Sequence, residues 1–278
     1  MPELPEVETI ASALRDGGRQ APSMLGEALC GARLFWERTL ATPAPEELSP
    51  RLAGQVIQEV DRRGKYLLIH LTKDILLIHL RMSGDLVVEA EATPVGPHHR
   101  LILDLQSGMR LSFIDARKFG RVWLVSDAGS VLESLGPEPL DPTFTPEMLY
   151  QRLQGRHRRL KPLLLDQGFL AGLGNIYTDE ALHLARLHPL IDAADLDMSQ
   201  ARRLWSSIRQ VLQEGIRRNG ASIDWVYRGG DFQNYFRVYQ RTGKPCPECG
   251  TLIQRIVVGQ RGTHICPTCQ PMPAADRQ

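Results

Sequence analysis

Between about Val56 and Val125 the chain alternates short apolar runs with turn residues. Tyr66–Leu71 and Ile75–Leu80 are rich in β-forming residues and joined by Thr72-Lys73-Asp74. Leu101–Leu105 and Arg110–Phe113 flank the turn Gln106–Met109, and Arg121–Val125 follows. Short strands with tight connections predict antiparallel sheets packed as a sandwich. Ahead of them, Pro5 stands where a first helical residue would, with Glu6 and Glu8 in the favourable first turn, which predicts a helix to about Leu14. The Pro-rich stretch LGPEPLDPTFTP (135–146) reads as a linker. Beyond it the apolar period becomes helical. Thr145 caps a predicted helix with Pro146 at its first position, and a second follows Gly172-Leu173-Gly174-Asn175. A third starts near Ser199 and carries Leu204, Ile208, Val211, Leu212 and Ile216 on one face before Gly220. The segment 220–234 mixes Gly, aromatic and polar residues without a period and is a candidate loop. No internal repeat is visible.

The predicted class is therefore α+β. An N-terminal β-sandwich with an N-terminal helix spans 1–134, a linker 135–145, a helical region 146–236, a metal-bound hairpin 237–270 and a tail 271–278. A length of 278 residues suits two domains. Hydrophobic residues at 42 % and charged residues at 23 % exclude wholesale disorder, collagen-like repetition and coiled coil. No apolar run approaches the roughly 20 residues of a membrane helix. The opening MPELPEVETI carries three glutamates and no basic residue, so neither a signal nor a transit peptide is expected, and the expected location is cytoplasmic. The net charge of +1 conceals an asymmetry. Residues 1–145 hold 15 Lys and Arg against 20 Asp and Glu, a net of −5, and residues 146–278 hold 18 against 12, a net of +6. A basic second half is what phosphate contacts would need.

Four of the five cysteines form two CxxC pairs, Cys246/Cys249 and Cys266/Cys269, separated by sixteen residues. That spacing fits a closed, tetrahedral, structural zinc site. Two disulfides are the alternative, but a chain without an export signal meets a reducing compartment. Cys30 stands alone and reads as a small buried hydrophobe. Between the knuckles Gln260-Arg261-Gly262-Thr263 forms a polar turn, with Arg261 near the hairpin tip, either simply solvated or reaching for a ligand. At the other end, removal of the initiator Met would leave Pro2 as a secondary amine. Such an α-amine titrates near about 8, so part of it is unprotonated at neutral pH and can attack an electrophilic sugar carbon. Glu3 beside it could move protons. Alone, this is an ordinary N-terminal proline before an acidic helix start.

The joint pattern changes that. MPELPEVET opens the chain, then RRGKYLL around Lys65, HLRMSG (79–84), DARKFG (115–120), LGPEPL (135–140), GLGNIYTDE (172–180) and QRGTHICPTCQ (260–270) follow in order. The series resembles the formamidopyrimidine-DNA glycosylases. The resemblance implies a helix–two-turn–helix region before the zinc finger, one structural Zn2+, and a monomer acting on double-stranded DNA that contains oxidised purines or abasic sites. It implies base-excision repair by a glycosylase that is also an abasic-site lyase, ending in β- and δ-elimination. Pro2 matches the nucleophile, Glu3 the proton donor, Lys65 the lysine of β-elimination, and Arg261 a phosphate-gripping arginine linked to δ-elimination. Glu6 would help order the site. His98, Arg156 and Asn175 match DNA contacts, with Asn175 at a helix start suited to phosphate, and Lys161 in RHRRLK is a further phosphate candidate. Met82, Arg117 and Phe119 match residues that fill the hole left by an everted base, Arg117 pairing with the orphaned cytosine. Arg81 and Lys118 stand where some relatives carry Gly and Arg, and segment 220–234 does not align. Two other readings remain: a relative preferring oxidised pyrimidines, which typically opens differently, and a non-catalytic zinc-finger DNA-binding protein.

Overall fold

The first helix, α1 (Leu4–Asp16), forms where its apolar residues recur every three or four positions. Leu4, Val7, Ile10, Ala11 and Leu14 are all buried. Pro5 in the first turn gives up no hydrogen bond, and Gly17 at φ +83° ends the helix. The computed structural model describes residues 1–222 and 229–272, which divide into two compact units. The first comprises Met1–Glu133 with Asn219–Gly230, the second Ser134–Arg218 with Asp231–Gln278. Residues 219–222 and 229–230, expected with the helical region, cluster with the first unit. Residues 223–228 of the expected loop, and 273–278 of the expected tail, lie outside the described residues.

In the first unit the strands are β1 (Leu29–Leu34), β2 (Leu40–Thr42), β3 (Ile57–Arg63), β4 (Tyr66–Leu71), β5 (Ile75–His79), β6 (Gly84–Ala90), β7 (His99–Leu105), β8 (Met109–Asp115) and β9 (Arg121–Val125). They form two sheets, β1-β7-β8-β6 and β2-β9-β5-β4-β3, antiparallel apart from the short β2–β9 pair. One core joins both sheets and α1. Leu86, Leu103, Leu111 and Phe113 come from the first sheet, Leu67, Ile69, Leu76, Ile78 and Val122 from the second, and Val7, Ile10 and Leu14 from α1. Arg62 of β3 pairs with Glu8 of α1 at 2.8 Å. Helices α2 (Pro45–Leu52) and α3 (Gly129–Leu132) complete the unit. Cys30, expected in the core, is instead exposed, because it occupies the solvent-facing position next to buried Leu29 in β1.

A polar cluster inside the first sheet carries its own compensation. The Glu89 carboxylate accepts from Arg110 (2.8 and 3.0 Å), His99 Nε2 (3.0 Å) and Ser112 (2.6 Å). Burial pushes that carboxyl up, and the hydrogen bonds from Ser112, His99 and Arg110 outweigh it, holding the group below its ordinary range.

The second unit contains α4 (Pro146–Leu153), α5 (Leu160–Leu164), α6 (Asn175–Ala185), α7 (Met198–Arg217) and the hairpin β10 (Gln254–Val258) and β11 (Arg261–Ile265). Thr145 caps α4 by accepting from Met148 N at 3.2 Å. Asp197 and Gln200 cap α7 reciprocally, at 2.7 and 2.9 Å. Leu204, Ile208, Val211 and Leu212 of α7 are buried as their spacing requires. Under the hairpin the fully buried Lys161 donates to Asp179 Oδ1 (2.5 Å) and Thr263 Oγ1 (2.8 Å), while Asp179 Oδ2 accepts from His264 N (2.9 Å). Buried charges persist only when paired and hydrogen-bonded, and removing one partner strands the other. Lys161→Met should therefore lower unfolding stability by roughly 3–5 kcal/mol. Adding Asp179→Asn, which keeps an acceptor for His264 N, should restore more than half of that loss. Urea unfolding of both variants checks this, and equal losses in single and double variants would refute the pairing.

Candidate active site and nucleic-acid interface

At the head of α1, Met1 is 45 % exposed whereas Pro2 and Glu3 are buried. Glu6, also buried, accepts from Glu3 N at 2.8 Å with one carboxylate oxygen and from Ala221 N at 2.7 Å with the other. Gly220 next door has φ +77°, and a Cβ there would lie 2.6 Å from Glu6 Oε1. Only glycine fits both that backbone and that approach. Glu6 therefore ties the amine-bearing end of the chain to the described start of segment 220–234.

Lys65 follows Gly64 (φ +58°) in the β3–β4 turn and is 5 % exposed. The next residue, Tyr66, opposes His79 across β4 and β5, with their rings edge to face at 4.7 Å. Burial, with the positive charges of Arg81 and Lys65, holds the His79 imidazole at about 3. It is neutral, and its Nδ1 accepts from Arg81 N at 3.0 Å, fixing the backbone one residue before Met82.

Met82 lies between β5 and β6, and Arg117 and Phe119 lie in the 116–120 loop between β8 and β9. Both loops converge on Asp115, whose side chain is wholly buried. It accepts from Ser83 Oγ, Arg117 N (3.1 Å) and Gly120 N (2.7 Å). Its own N–H donates to His98 O at 2.9 Å, and its carbonyl accepts from Arg100 Nε at 2.7 Å. A single residue thus holds the backbone beneath Met82, Arg117, Phe119 and His98. Above it the side chains of Arg117, Phe119 and His98 are exposed, and that of Met82 is half-buried. Phe119 is 51 % exposed with the Arg117 guanidinium 5.0 Å from its ring centre, and His98 is exposed. Met1, Arg81, Met82, Phe119, Arg121 and Trp123 line an open cavity of about 590 Å³.

In the second unit Asn175 is the first residue of α6, after Gly174 as cap. Its Nδ2 donates to Gly262 O at 3.0 Å, and its buried Oδ1 has no hydrogen-bond partner among the described residues. The first-turn amides of such a helix have no intrahelical acceptor and favour an anion. The hairpin turn itself is Gly259-Gln260, both with positive φ (+55° and +62°), because Val258 pairs with Arg261. Arg261 is the exposed first residue of β11, and Thr263, expected in the turn, is buried in the strand. Arg156 is exposed after α4. Lys161 does not share that exposure. Its ammonium is committed to Asp179 and Thr263 inside the unit, so its charge supports the hairpin from beneath and is not offered to a phosphate at the surface.

All five cysteines are free. The sulfurs of Cys249 and Cys266, Cys249 and Cys269, and Cys246 and Cys269 lie 3.4, 3.5 and 3.9 Å apart, and all four fall within 4.8 Å of one another. Four thiolates each about 2.3 Å from one zinc sit roughly 3.8 Å apart in a tetrahedron. The cluster fits one structural Zn2+, with no position left for substrate. Sequence reasoning missed Ser83, Asp115, Asp179 and His183, although the first three lie inside the quoted motifs. Ser83, Asp179 and His183 meet partners distant in sequence, and the nearby partners of Asp115 are backbone amides, which residue identity does not reveal.

Three family models match the chain: the formamidopyrimidine-DNA glycosylase N-terminal domain over residues 1–122, the H2TH domain of the same glycosylases over 135–226, and a zinc finger found in FPG and IleRS over 243–271. The formamidopyrimidine-DNA glycosylase of Chloroflexus aurantiacus is 48 % identical over 278 residues, covering 97 % of this chain and 98 % of the relative. That of Protochlamydia amoebophila is 43 % identical over 279 residues, covering 97 % and 99 %. Among solved structures, the Lactococcus lactis FPG (MutM) complex with Fapy-dG DNA is similar with a TM-score of 0.89 at 36 % identity, covering 97 % of this chain and 100 % of that one. A MutM complex with carbocyclic 8-oxo-G DNA has a TM-score of 0.89 at 37 % identity, covering 98 % and 100 %.

Two outcomes follow from the geometry. Asp115→Asn removes the charge and one acceptor beneath the 116–120 loop, at a cost of about 1–3 kcal/mol. The Gly120 amide should then exchange its hydrogen roughly 10–100-fold faster in native protein, and unchanged exchange would show that the loop holds itself. His79 titrates near its ordinary 6.5 when unfolded and at about 3 when folded, so unfolding takes up a proton between those values. Its contribution is complete above pH 6.5 and is lost as pH falls towards 3. Between pH 6.5 and 5 this amounts to about 2 kcal/mol. His79→Gln should lose correspondingly less stability over that range than the parent, as read from urea midpoints.

Proposed function

The chain belongs to the formamidopyrimidine-DNA glycosylase family, and from that premise we propose how its residues divide the work. It is a bifunctional DNA glycosylase and abasic-site lyase of base-excision repair, acting as a monomer on duplex DNA that carries oxidised purines such as 8-oxoguanine and formamidopyrimidines. With Met1 removed, the Pro2 nitrogen is a secondary amine. Its lone pair attacks C1′ of the damaged nucleotide. Glu3 donates a proton as the sugar ring opens and the base departs, leaving an iminium between Pro2 and the sugar. Loss of a C2′ proton, assisted by Lys65, expels the 3′ phosphate. A second elimination expels the 5′ phosphate, with Arg261 gripping the phosphate that leaves.

The observation that carries this reading is the contrast at the N-terminus. Met1 stands out in solvent, while Pro2 and Glu3 are buried and the Glu3 amide is held by Glu6. Met82 and Phe119 would enter the space vacated by the everted base, and Arg117 would hydrogen-bond the orphaned cytosine. His98, Arg156 and the α6 N-terminus at Asn175 would take phosphates. We assign catalysis to residues 1–134, the linker to 135–145, DNA binding to 146–236 and the zinc finger to 237–270. No helix among the described residues is long and apolar enough to cross a membrane, and we place the enzyme in the cytoplasm, at the nucleoid.

Borohydride trapping tests the mechanism, on a duplex with 8-oxoguanine opposite cytosine and with the N-terminal mass read from the same preparation. Protein with a free Pro2 should give a covalent adduct, lost in Pro2→Gly, and Glu3→Gln should slow base release by roughly 10²–10⁴-fold. No adduct from protein with a confirmed free Pro2 would overturn the assignment. Efficient trapping on thymine glycol but not on 8-oxoguanine would move the chain to the pyrimidine-preferring relatives.

A further inference from the structure

We propose that His183 donates its Nε2 proton to the Cys246 thiolate and thereby sets how firmly the finger retains its zinc. His183 lies in the last turn of α6, 2 % exposed, with Nε2 3.3 Å from Cys246 Sγ. Its other ring nitrogen, Nδ1, is buried with no hydrogen-bond partner among the described residues. The two facts together fix the tautomer. With the proton on Nδ1, a buried donor would be left unsatisfied and the Nε2 lone pair would face a thiolate. With the proton on Nε2, the one strong interaction within reach is made, and only an acceptor goes unpaired.

A neutral imidazole so placed has a specific effect on a four-thiolate zinc site. Such a site carries net negative charge, and Cys246, 3 % exposed, is packed with Val238, Ile253 and Cys266, away from the water that would otherwise stabilise it. An N–H aimed at the sulfur from that apolar side supplies the missing stabilisation, and the low dielectric strengthens it. Groups that hydrogen-bond a metal ligand from outside commonly change metal affinity 10–100-fold. The inference depends on zinc occupancy of the cluster and not on the base-excision reading, and its test does not read glycosylase activity.

The experiment uses the full-length, zinc-loaded protein. Zinc transfer to a chelating dye is followed for the parent, His183→Gln, which keeps a donor, and His183→Phe, which fills the space without one. The phenylalanine variant should yield zinc roughly 10–100-fold more readily, and the glutamine variant should stay within a few-fold of the parent. In cobalt-substituted protein the sulfur-to-cobalt charge-transfer band should move to lower energy in His183→Phe alone. Equal retention in all three, or equal loss in both variants, overturns the proposal, the latter pointing to packing. If His183→Phe does not fold, His183→Met replaces it in the same comparison.

Discussion

Irregular backbone beside a ligand site cannot be held by an apolar core, because its amides still require acceptors. In this chain buried carboxylates meet that requirement repeatedly. Asp115 accepts from Arg117 N and Gly120 N, and Glu6 from Glu3 N and Ala221 N. Glu180 accepts from the amides of Arg237, Val238 and Tyr239, and Asp179 from His264 N. An ionised oxygen takes two or three amides at once and holds them more strongly than a neutral one. Burial opposes ionisation, and for Glu180 it prevails, pushing the carboxyl up against three backbone donors and the Arg237 charge. Each carboxylate is thus costly to bury alone and stable only while its loop is in place. Loop and carboxylate therefore specify one another.

This division of labour explains why the outward residues can be so exposed. Phe119 and Arg117 bury little of themselves within the first unit, and their position comes from the amides beneath them. The one ring contact between them, the Arg117 guanidinium 5.0 Å from the Phe119 ring centre, lies at the surface and not in the core. The same reasoning applies to Asn175 at the start of α6, whose side-chain amide is tied to Gly262 O.

What the sequence disclosed follows this line closely. Helix α1, strands β4 and β5, helix α7 and the zinc knuckles were legible because periodicity or fixed spacing encodes them locally. Strand β1 was not, since its burial runs irregularly through a bulge opposite β7, nor was α2, which contains Pro50. Helix α5 is five residues long and hidden at the end of a basic run, which also made Lys161 read as a surface charge. Nothing local distinguishes Lys161 from Arg158 or Arg159. The distinction lies in Asp179 and Thr263, 18 and 102 residues away. Met82 and Phe119 taken alone suggest core residues, and only the resemblance to a family gave them another role.

Helix α6 gathers these constraints into one element. Asn175 stands at its anion-seeking end, Asp179 holds the hairpin strand that begins with Arg261, Glu180 holds the chain entering the finger, and His183 reaches a zinc ligand. At 3.6 residues per turn, positions 175, 179, 183 and 180 spread over roughly 140° of the helix surface, so one rigid rod carries four attachments. The finger needs this because its own core is small: Val238, Cys246, Ile253 and Cys266 with Cys269 against them. Zinc closes that core from inside, and α6 fixes it from outside. The exposed Arg261 then inherits its place from two sources that a hairpin of this size lacks alone, a metal and a helix.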